Sequence, residues 1–372
     1  MLSPDDYADA LSHGPARGRA AGLNPANRFE SVRLHVLGEH LDEARAEHED
    51  GVQVRTEPVG DRSRSIINRV DSPDLPFHWT INPYRGCEHG CIYCYARPTH
   101  ETLGYSCGLD FETRILVKHD APALLKRELA HPTWVGEPIM MCGVTDCYQP
   151  LEARLEVTRG CLEVMAACGQ PVCIVTKNRL VTRDIDLLGT LAKVGAAKVA
   201  LSVTTLDAKL SAIMEPRASK PADRLRAIRE LADAGVPAMA MIAPVIPGLT
   251  DHEIPRLLEA ARDAGAVSAR WMMLRLPHRV KDLFLEWLQR HKPLRAAKVE
   301  AFIRGVRAGS LSDSTWGRRM RGTGALTEHI GGLFDLYAHK YGLDRATPPL
   351  STTSFQPPAL DGQFDLFGSS DG

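Results

Sequence analysis

From about Phe77 onward, short apolar runs rich in β-branched and aliphatic residues alternate with longer runs of helical period. The strand candidates are FHWTIN (77–82), PIMMCGV (138–144), PVCIVT (171–176), AKVALSVT (197–204), PAMAMIA (237–243) and SARWMML (268–274). None shows the in–out polarity of a half-exposed strand, which fits strands buried on both faces of a parallel sheet. Between them the pattern predicts helices over 153–168, 183–195, 222–235 and 253–265. Gly169, Gly195, Gly235 and Gly265 fall where helix C-termini want a left-handed residue.

Six β–α alternations predict an α/β fold, either a parallel barrel or a doubly wound sheet; we take a partial (β/α)6, TIM-like barrel as the expectation. In such a barrel the active site lies at the C-terminal ends of the strands. The domain reading is a polar, loosely packed N-terminal extension (1–70), a barrel core (71–308), a C-terminal helical segment (309–344) with helices near 280–308 and 324–341 flanking this boundary, and a disordered tail (345–372) rich in Pro, Ser, Thr and Gly.

The chain of 372 residues carries 45 Lys plus Arg against 46 Asp plus Glu, so a global pull toward nucleic acid is absent and only a local basic face is open. The first residues lack the apolar core of a secretory signal, and no apolar run reaches membrane-spanning length. With nine cysteines, this predicts a cytoplasmic, reducing location and no membrane partner. Clustered thiols there bind metal or do chemistry more often than they pair.

Three of those cysteines, Cys87, Cys91 and Cys94, form a CxxxCxxC set in the loop after the first strand, within NPYRGCEHGCIYCYARPTHE. Three thiolates can each hold one iron of a cubane cluster, with one iron left without a protein ligand. The alternative is a structural zinc completed by His89 or His100.

The cysteine loop resembles that of the radical S-adenosylmethionine (radical SAM) superfamily. The wider run from about Ile67 through the cysteine loop is similar to the subgroup related to spore photoproduct lyase, and the likeness extends over about 60–340. The resemblance implies a [4Fe-4S] cluster, S-adenosylmethionine chelated at the open iron, reductive cleavage to a 5′-deoxyadenosyl radical, and an electron donor such as flavodoxin or ferredoxin.

It also implies roles for residues just past the strands. Thr145 and Asp146, in GVTDCYQPLE, match residues that hold the methionine amino group, though the same text reads as a turn and helix cap. Lys177 matches a partner of the SAM carboxylate, or is a surface lysine. Ser202 and Thr204 alternate on one strand face and can bond ribose or amino group. Glu215 can hold ribose hydroxyls or substrate, or pair with Arg217 on the surface. Backbone amides of Val245–Gly248 can read adenine, or simply form a turn. Tyr95 matches a tyrosine of the lyases' hydrogen relay. Their cysteine hydrogen donor falls on Gly143, with Cys142 and Cys147 beside it.

The segment QFDLF, Gln363–Phe367, resembles the pentapeptide that binds bacterial sliding clamps. That likeness and the lyase resemblance favour DNA or a modified nucleotide as substrate, with basic residues in 270–281 and 316–321 available to phosphates. The same radical chemistry on protein, RNA or a metabolite is one alternative. A metal-stabilised, clamp-associated binding module without turnover is another.

Overall fold

The computed structural model describes residues 16–17, 19–29, 52–53 and 55–360. Twelve strands occur there: β1 (Ala16–Arg17), β2 (Val52–Gln53), β3 (Glu57–Gly60), β4 (Ile67–Arg69), β5 (Trp79–Ile81), β6 (Tyr84–Arg85), β7 (Arg114–Val117), β8 (Ile139–Met141), β9 (Val172–Thr176), β10 (Ala197–Ser202), β11 (Ala238–Val245) and β12 (Ser268–Met273). All six strands expected from the apolar runs form, in sequence order, as one sheet β12-β11-β10-β9-β8-β5-β4. The six pair in parallel, and β4 adds an antiparallel edge on β5. A sheet of this order curving under helices is the partial barrel of the sequence reading.

The core lies between the sheet and its helices. Strand residues such as Ile139, Ile174 and Val199 meet helix residues such as Leu162, Leu188 and Ile228. A second apolar cluster closes the C-terminal end of the barrel, where Ile92, Leu210, Met214 and Leu276 meet Phe284 and Trp287. Cys91 belongs to this cluster and Cys94 packs against it, so the cysteine loop is part of the plug over the barrel mouth.

All four glycines assigned to helix ends have positive φ: Gly169 at 65°, Gly195 at 72°, Gly235 at 75° and Gly265 at 89°. Two helix predictions need correction. The run 153–168 is broken at Glu156, which has φ of 52°. The buried Glu152 carboxylate accepts from the amides of Thr158 (3.0 Å) and Arg159 (3.3 Å), and so starts a new helix at Val157. The run 280–308 is two helices, Val280–His291 and Pro293–Gly305, because Pro293 has no N–H to continue the first.

Both ends of the described chain are more engaged than their composition suggests. β3 pairs with β7, which pairs with β6, giving a three-stranded sheet beside the barrel. The amides of Arg19, Ala20 and Ala21 bond the Glu112 carboxylate. The part of the expected tail from 351 to 356 is docked across the N-terminal end of the barrel. There Ser351 N–H donates to Gly195 O and Gln356 N–H to Cys168 O, both at 2.9 Å, and Phe355 packs on the core. The clamp-like segment 363–367 lies outside the described residues. Among the described residues no helix is long and apolar enough to cross a membrane.

The docked strap yields a prediction. A Cβ at Gly169 would sit 2.2 Å from Ser354 O, on a residue already at positive φ. We expect Gly169→Ala to destabilise the protein by about 1 kcal/mol or more and to expose residues 345–360 to protease. Urea denaturation and limited proteolysis measure both, and a variant matching wild type in each would contradict the docking.

Candidate functional site

The loop after β5 is fixed from beneath by one side chain. Arg97, fully buried, spends all five of its N–H donors. Nε donates to Cys91 O at 3.0 Å. Nη1 donates to Cys107 O at 3.1 Å and Gly108 O at 3.0 Å. Nη2 donates to Gly90 O at 3.2 Å and Glu112 Oε1 at 2.5 Å. Burial alone would pull the guanidinium's pKa down, but the Glu112 charge outweighs it and the net direction is upward. From above, Gln149 receives the Glu88 amide at 2.8 Å, while Cys87 N–H donates to Phe111 O at 2.9 Å.

Cys87 and Cys91 are buried and Cys94 is half-buried. Burial raises all three thiol pKa values, Cys91 to about 12 with the Glu215 charge adding to the shift. Without a cation these groups stay protonated; a bound metal's charge reverses that preference. Their arrangement does not suit a single ion. Sulfurs bound to one zinc at about 2.3 Å would lie roughly 3.8 Å apart. Among the described residues the only Cys/His/Asp/Glu trio whose ligand atoms all lie within 4.8 Å is Cys142, Asp146 and Cys147. Of the two histidines that could complete a zinc site, His89 has both ring nitrogens engaged, and His100 has only Nδ1 without a partner among the described residues. His89 sits between Asp146 Oδ2 at 3.3 Å and Asn178 at 3.4 Å. His100 Nε2 is bonded to Arg114 O at 3.0 Å, and its pKa is lowered by burial to about 4. Three thiols spread through an apolar loop fit the larger cubane instead.

The other expected site residues gather at the strand ends around this loop, but several are fully engaged. Asp146 receives Thr176 Oγ1 (2.7 Å), the Lys177 amide (2.8 Å), the Tyr148 amide (3.0 Å) and His89. Burial alone would raise its pKa, yet His89 and these donors hold it at about 2. It clasps the ends of β8 and β9 and the cysteine loop together. Glu215 is likewise saturated, by Tyr93 O–H, Thr204 Oγ1 (2.7 Å), Arg224 and Ser211. Against the desolvation that would raise it, Arg224 keeps this carboxyl at about 2. The expected surface pair with Arg217 is not formed: Arg217 bonds Glu88 at 2.7 Å. Ser202, buried, lends its carbonyl to Arg224 at 2.9 Å.

Lys177 is less committed, whereas the Thr145 hydroxyl accepts from Gln149 Nε2 at 3.3 Å. The Lys177 ammonium lies 5.8 Å from the Tyr93 ring centroid, facing the cysteine loop from the end of β9. Thr145 Oγ1 donates to Gly86 O at 2.6 Å. Of the amides expected to read adenine, Ile246 N–H goes to Thr250 Oγ1 and Gly248 N–H to Asp251 Oδ1, both at 2.9 Å, so the turn uses them itself.

A third group lies on the open side. Tyr95 donates to Gly143 O at 2.8 Å while exposing 45% of its surface, and the Arg275 guanidinium sits 5.2 Å from its ring centroid. Its neighbour in this strand-end turn, Cys142, has φ of 82°, strain of a kind that concentrates at functional sites. Cys142 Sγ accepts from Cys147 N–H at 3.2 Å. Sequence reasoning missed Arg97, Glu112 and Arg224, whose only trace was a charged residue among small ones.

The sequence profile of the Radical SAM superfamily matches residues 81–261. An uncharacterized protein of Mycobacterium tuberculosis (strain H37Rv) is 37% identical over 246 residues, covering 65% of this chain and 72% of the relative. One of Methanocaldococcus jannaschii is 30% identical over 192 residues, covering 52% and 69%. The chain belongs to the radical SAM superfamily and is an enzyme of that class. Within it, the fold is that of spore photoproduct lyase. A mutant of that lyase gives a TM-score of 0.55 at 17% identity, over 82% of this chain and 92% of the other. The lyase complexed with dinucleoside spore photoproduct gives 0.53 at 16%, over 76% and 79%.

Arg97→Lys tests the support beneath the loop. Lysine cannot serve five acceptors and leaves Glu112 poorly paired, so we expect a loss of about 3–5 kcal/mol. We also expect faster labelling of Cys91 and Cys94 by a thiol reagent in the metal-free protein. Denaturation and labelling rates equal to wild type would remove Arg97 from this role.

Proposed function

We propose that Cys87, Cys91 and Cys94 hold a [4Fe-4S] cluster whose fourth iron takes the amino and carboxylate groups of S-adenosylmethionine, and that the enzyme acts on DNA or nucleotide lesions. When bound, the cluster supplies the electron that splits the sulfonium and releases a 5′-deoxyadenosyl radical. The observation that carries this reading is the trio of thiols at a strand-end loop, two buried and one half-buried, whose sulfurs do not all lie within 4.8 Å of one another.

The chain's own groups have separable tasks. Lys177 offers a positive charge to the SAM carboxylate and Thr145 lies at a neighbouring strand end, while Thr204, its hydroxyl bonded to Glu215, helps hold that carboxylate in place. Asp146 and Glu215, with their oxygens occupied, act as positioning residues that keep those groups and the loop in register. Apolar packing by Ile92, Leu210 and Met214 excludes water from the thiols. On the open side, the Tyr95 O–H is the hydrogen-atom donor that meets a substrate radical, with the buried Cys142 S–H behind it in the same strand-end turn as the second donor.

A nucleic-acid substrate is supported by the surface beside Tyr95. Arg319 stacks 4.0 Å from the centroid of the exposed Trp316 ring, and Arg275 covers Tyr95. The exposed Trp316 ring suits an unstacked base, and Asp74, ion-paired with Arg319 at 2.6 Å, fixes the guanidinium against it. The fold shared with the lyase that takes a dinucleoside photoproduct points the same way. In this reading Gln363–Phe367 tethers the enzyme to the sliding clamp in the cytoplasm. Replacing Leu366 and Phe367 with Ala should abolish clamp pull-down; undiminished capture removes the tether.

The anaerobically reconstituted protein should form 5′-deoxyadenosine only with a reductant, and Cys94→Ala should lose both the visible cluster absorbance and this product. With deuterium-labelled damaged DNA, label should appear in 5′-deoxyadenosine. Product without label from any damaged DNA would leave the radical chemistry standing and remove the DNA substrate. A protein isolated with zinc and no iron or sulfide would remove both.

A further inference from the structure

A recess of about 530 Å³ opens on the outer side of the cysteine loop. Its lining comes from four separate stretches of chain. Arg19, Arg55 and Thr56 belong to the N-terminal extension, Glu88 to the cysteine loop, Pro150, Leu151 and Arg154 to the segment after β8, and Arg217 to the segment after β10. Four guanidiniums face one carboxylate, so the lining carries a net charge of +3 in a chain whose overall charge is -1. The functional reading above uses none of these groups.

The floor of the recess is pinned but incompletely satisfied. Glu88 Oε1 accepts from Arg217 at 2.7 Å and from Thr56 at 2.5 Å, and lies 3.5 Å from Arg19 Nη2. Among the described residues, Arg19 Nη1 and Glu88 Oε2, on side chains only 4% and 3% exposed, have no hydrogen-bond partner. Such orphaned buried groups point to an absent ligand. At the rim, Arg55 and Arg154 are exposed and form no ion pair among the described residues. Unpaired charges projecting from a rim act on a partner's surface.

The location gives this charge a purpose. Glu88 follows Cys87 directly, and burial of the Arg19 guanidinium leaves it within electrostatic reach of the Cys87 thiol. The thiols themselves are covered by apolar residues, so an electron must enter through the loop rather than by direct contact. Here a basic surface adjoins the residue next to a cluster ligand. The only apolar side chains in the lining are Pro150 and Leu151, and no aromatic ring is present to hold a nucleobase or flavin. The recess is therefore shaped to receive acidic side chains.

We propose that this recess is the docking face for an acidic electron-carrier protein of the flavodoxin or ferredoxin kind, with carboxylates seated on the exposed rim arginines Arg55 and Arg154. The proposal rests on the cluster reading above. The reduced carrier loses one electron and the cluster gains it; no bond forms or breaks. Charge complementarity of this kind accelerates encounter and orients the carrier.

The test uses the anaerobic holoenzyme and a double charge reversal, Arg55→Glu with Arg154→Glu, both residues lying outside the proposed SAM and substrate groups. Affinity for flavodoxin, and separately for a ferredoxin, is measured by titration at low and high salt. The rate of cluster bleaching by the reduced carrier is compared with that by reduced methyl viologen, a small cation that does not need the docking face. We expect carrier affinity and carrier-driven bleaching to fall about tenfold or more at low salt, the salt dependence to flatten, and bleaching by methyl viologen to stay unchanged. A milder pair, Arg55→Gln with Arg154→Gln, should give a smaller loss in the same direction and covers misfolding of the first. Unchanged affinity and bleaching for both carriers would overturn the docking face. So would binding of inorganic phosphate that depends on Arg19 and Arg154 while carrier affinity does not, which would make the recess a small-anion site. If methyl viologen fails to bleach the wild-type protein, the cluster reading fails; the carrier affinities still decide the docking.

Discussion

The buried guanidinium of Arg97 is the constraint on which the cysteine loop depends. A charge taken out of water is tolerated only when it is neutralised and every donor is used. Both conditions hold here: Glu112 supplies the opposite charge and four carbonyls supply the remaining acceptors. Two of those carbonyls, of Gly90 and Cys91, belong to the loop itself. The Glu112 carboxylate also receives three amides of residues 19–21, so the N-terminal extension and the loop share one buried carboxylate. Removing either partner leaves an unpaired charge directly beneath the thiols.

A second buried pair does the same work on the opposite wall. Arg224, on the second helix after β10 (Pro221–Asp233), and Glu215 join that helix to β10, and Glu215 carries Tyr93 as well. Since Tyr93 lies between Cys91 and Cys94, the pair fixes the loop from the barrel side while Arg97 fixes it from the outer side. Asp146 adds a third anchor, linking the ends of β8 and β9 to His89 in the loop. Acidic residues next to a reactive centre invite a ligand role. In this protein their oxygens are already taken, and their contacts hold the strand ends that carry Lys177 and Thr145.

What was legible in the sequence is what physics writes locally. Strands buried on both faces must be continuously apolar, and helices ending at a left-handed residue favour glycine, so all six parallel strands and the four glycine caps could be read. The cysteine spacing is local too. The broken helix at Glu156 was not legible, because its cause is a carboxylate held by Tyr84 and Arg183 from elsewhere in the chain. Nor was the strap at 351–356, whose few polar backbone bonds leave no periodic trace. The same holds for the buried ion pairs: a lone arginine after the last cysteine carries no period, and its partner is fifteen residues on.

The loop's two flanks differ in a way that bears on how such a site can work. On one flank Glu88 follows the first cysteine and faces the arginine-lined recess. On the other Tyr95 follows the last cysteine and faces Gly143, Arg275 and the exposed aromatic surface. A one-electron donor and a radical-bearing substrate must be kept apart, because reducing the substrate radical directly would end the chemistry. Under the proposed function, cysteines placed between these flanks would separate donor from substrate by the thickness of one well-anchored loop. In the proposed reading the strained backbone at Cys142 lies on the second flank, where hydrogen-atom transfer would require close and repeatable contact, and the exposed rim arginines lie on the first, where a carrier would need only to touch and leave.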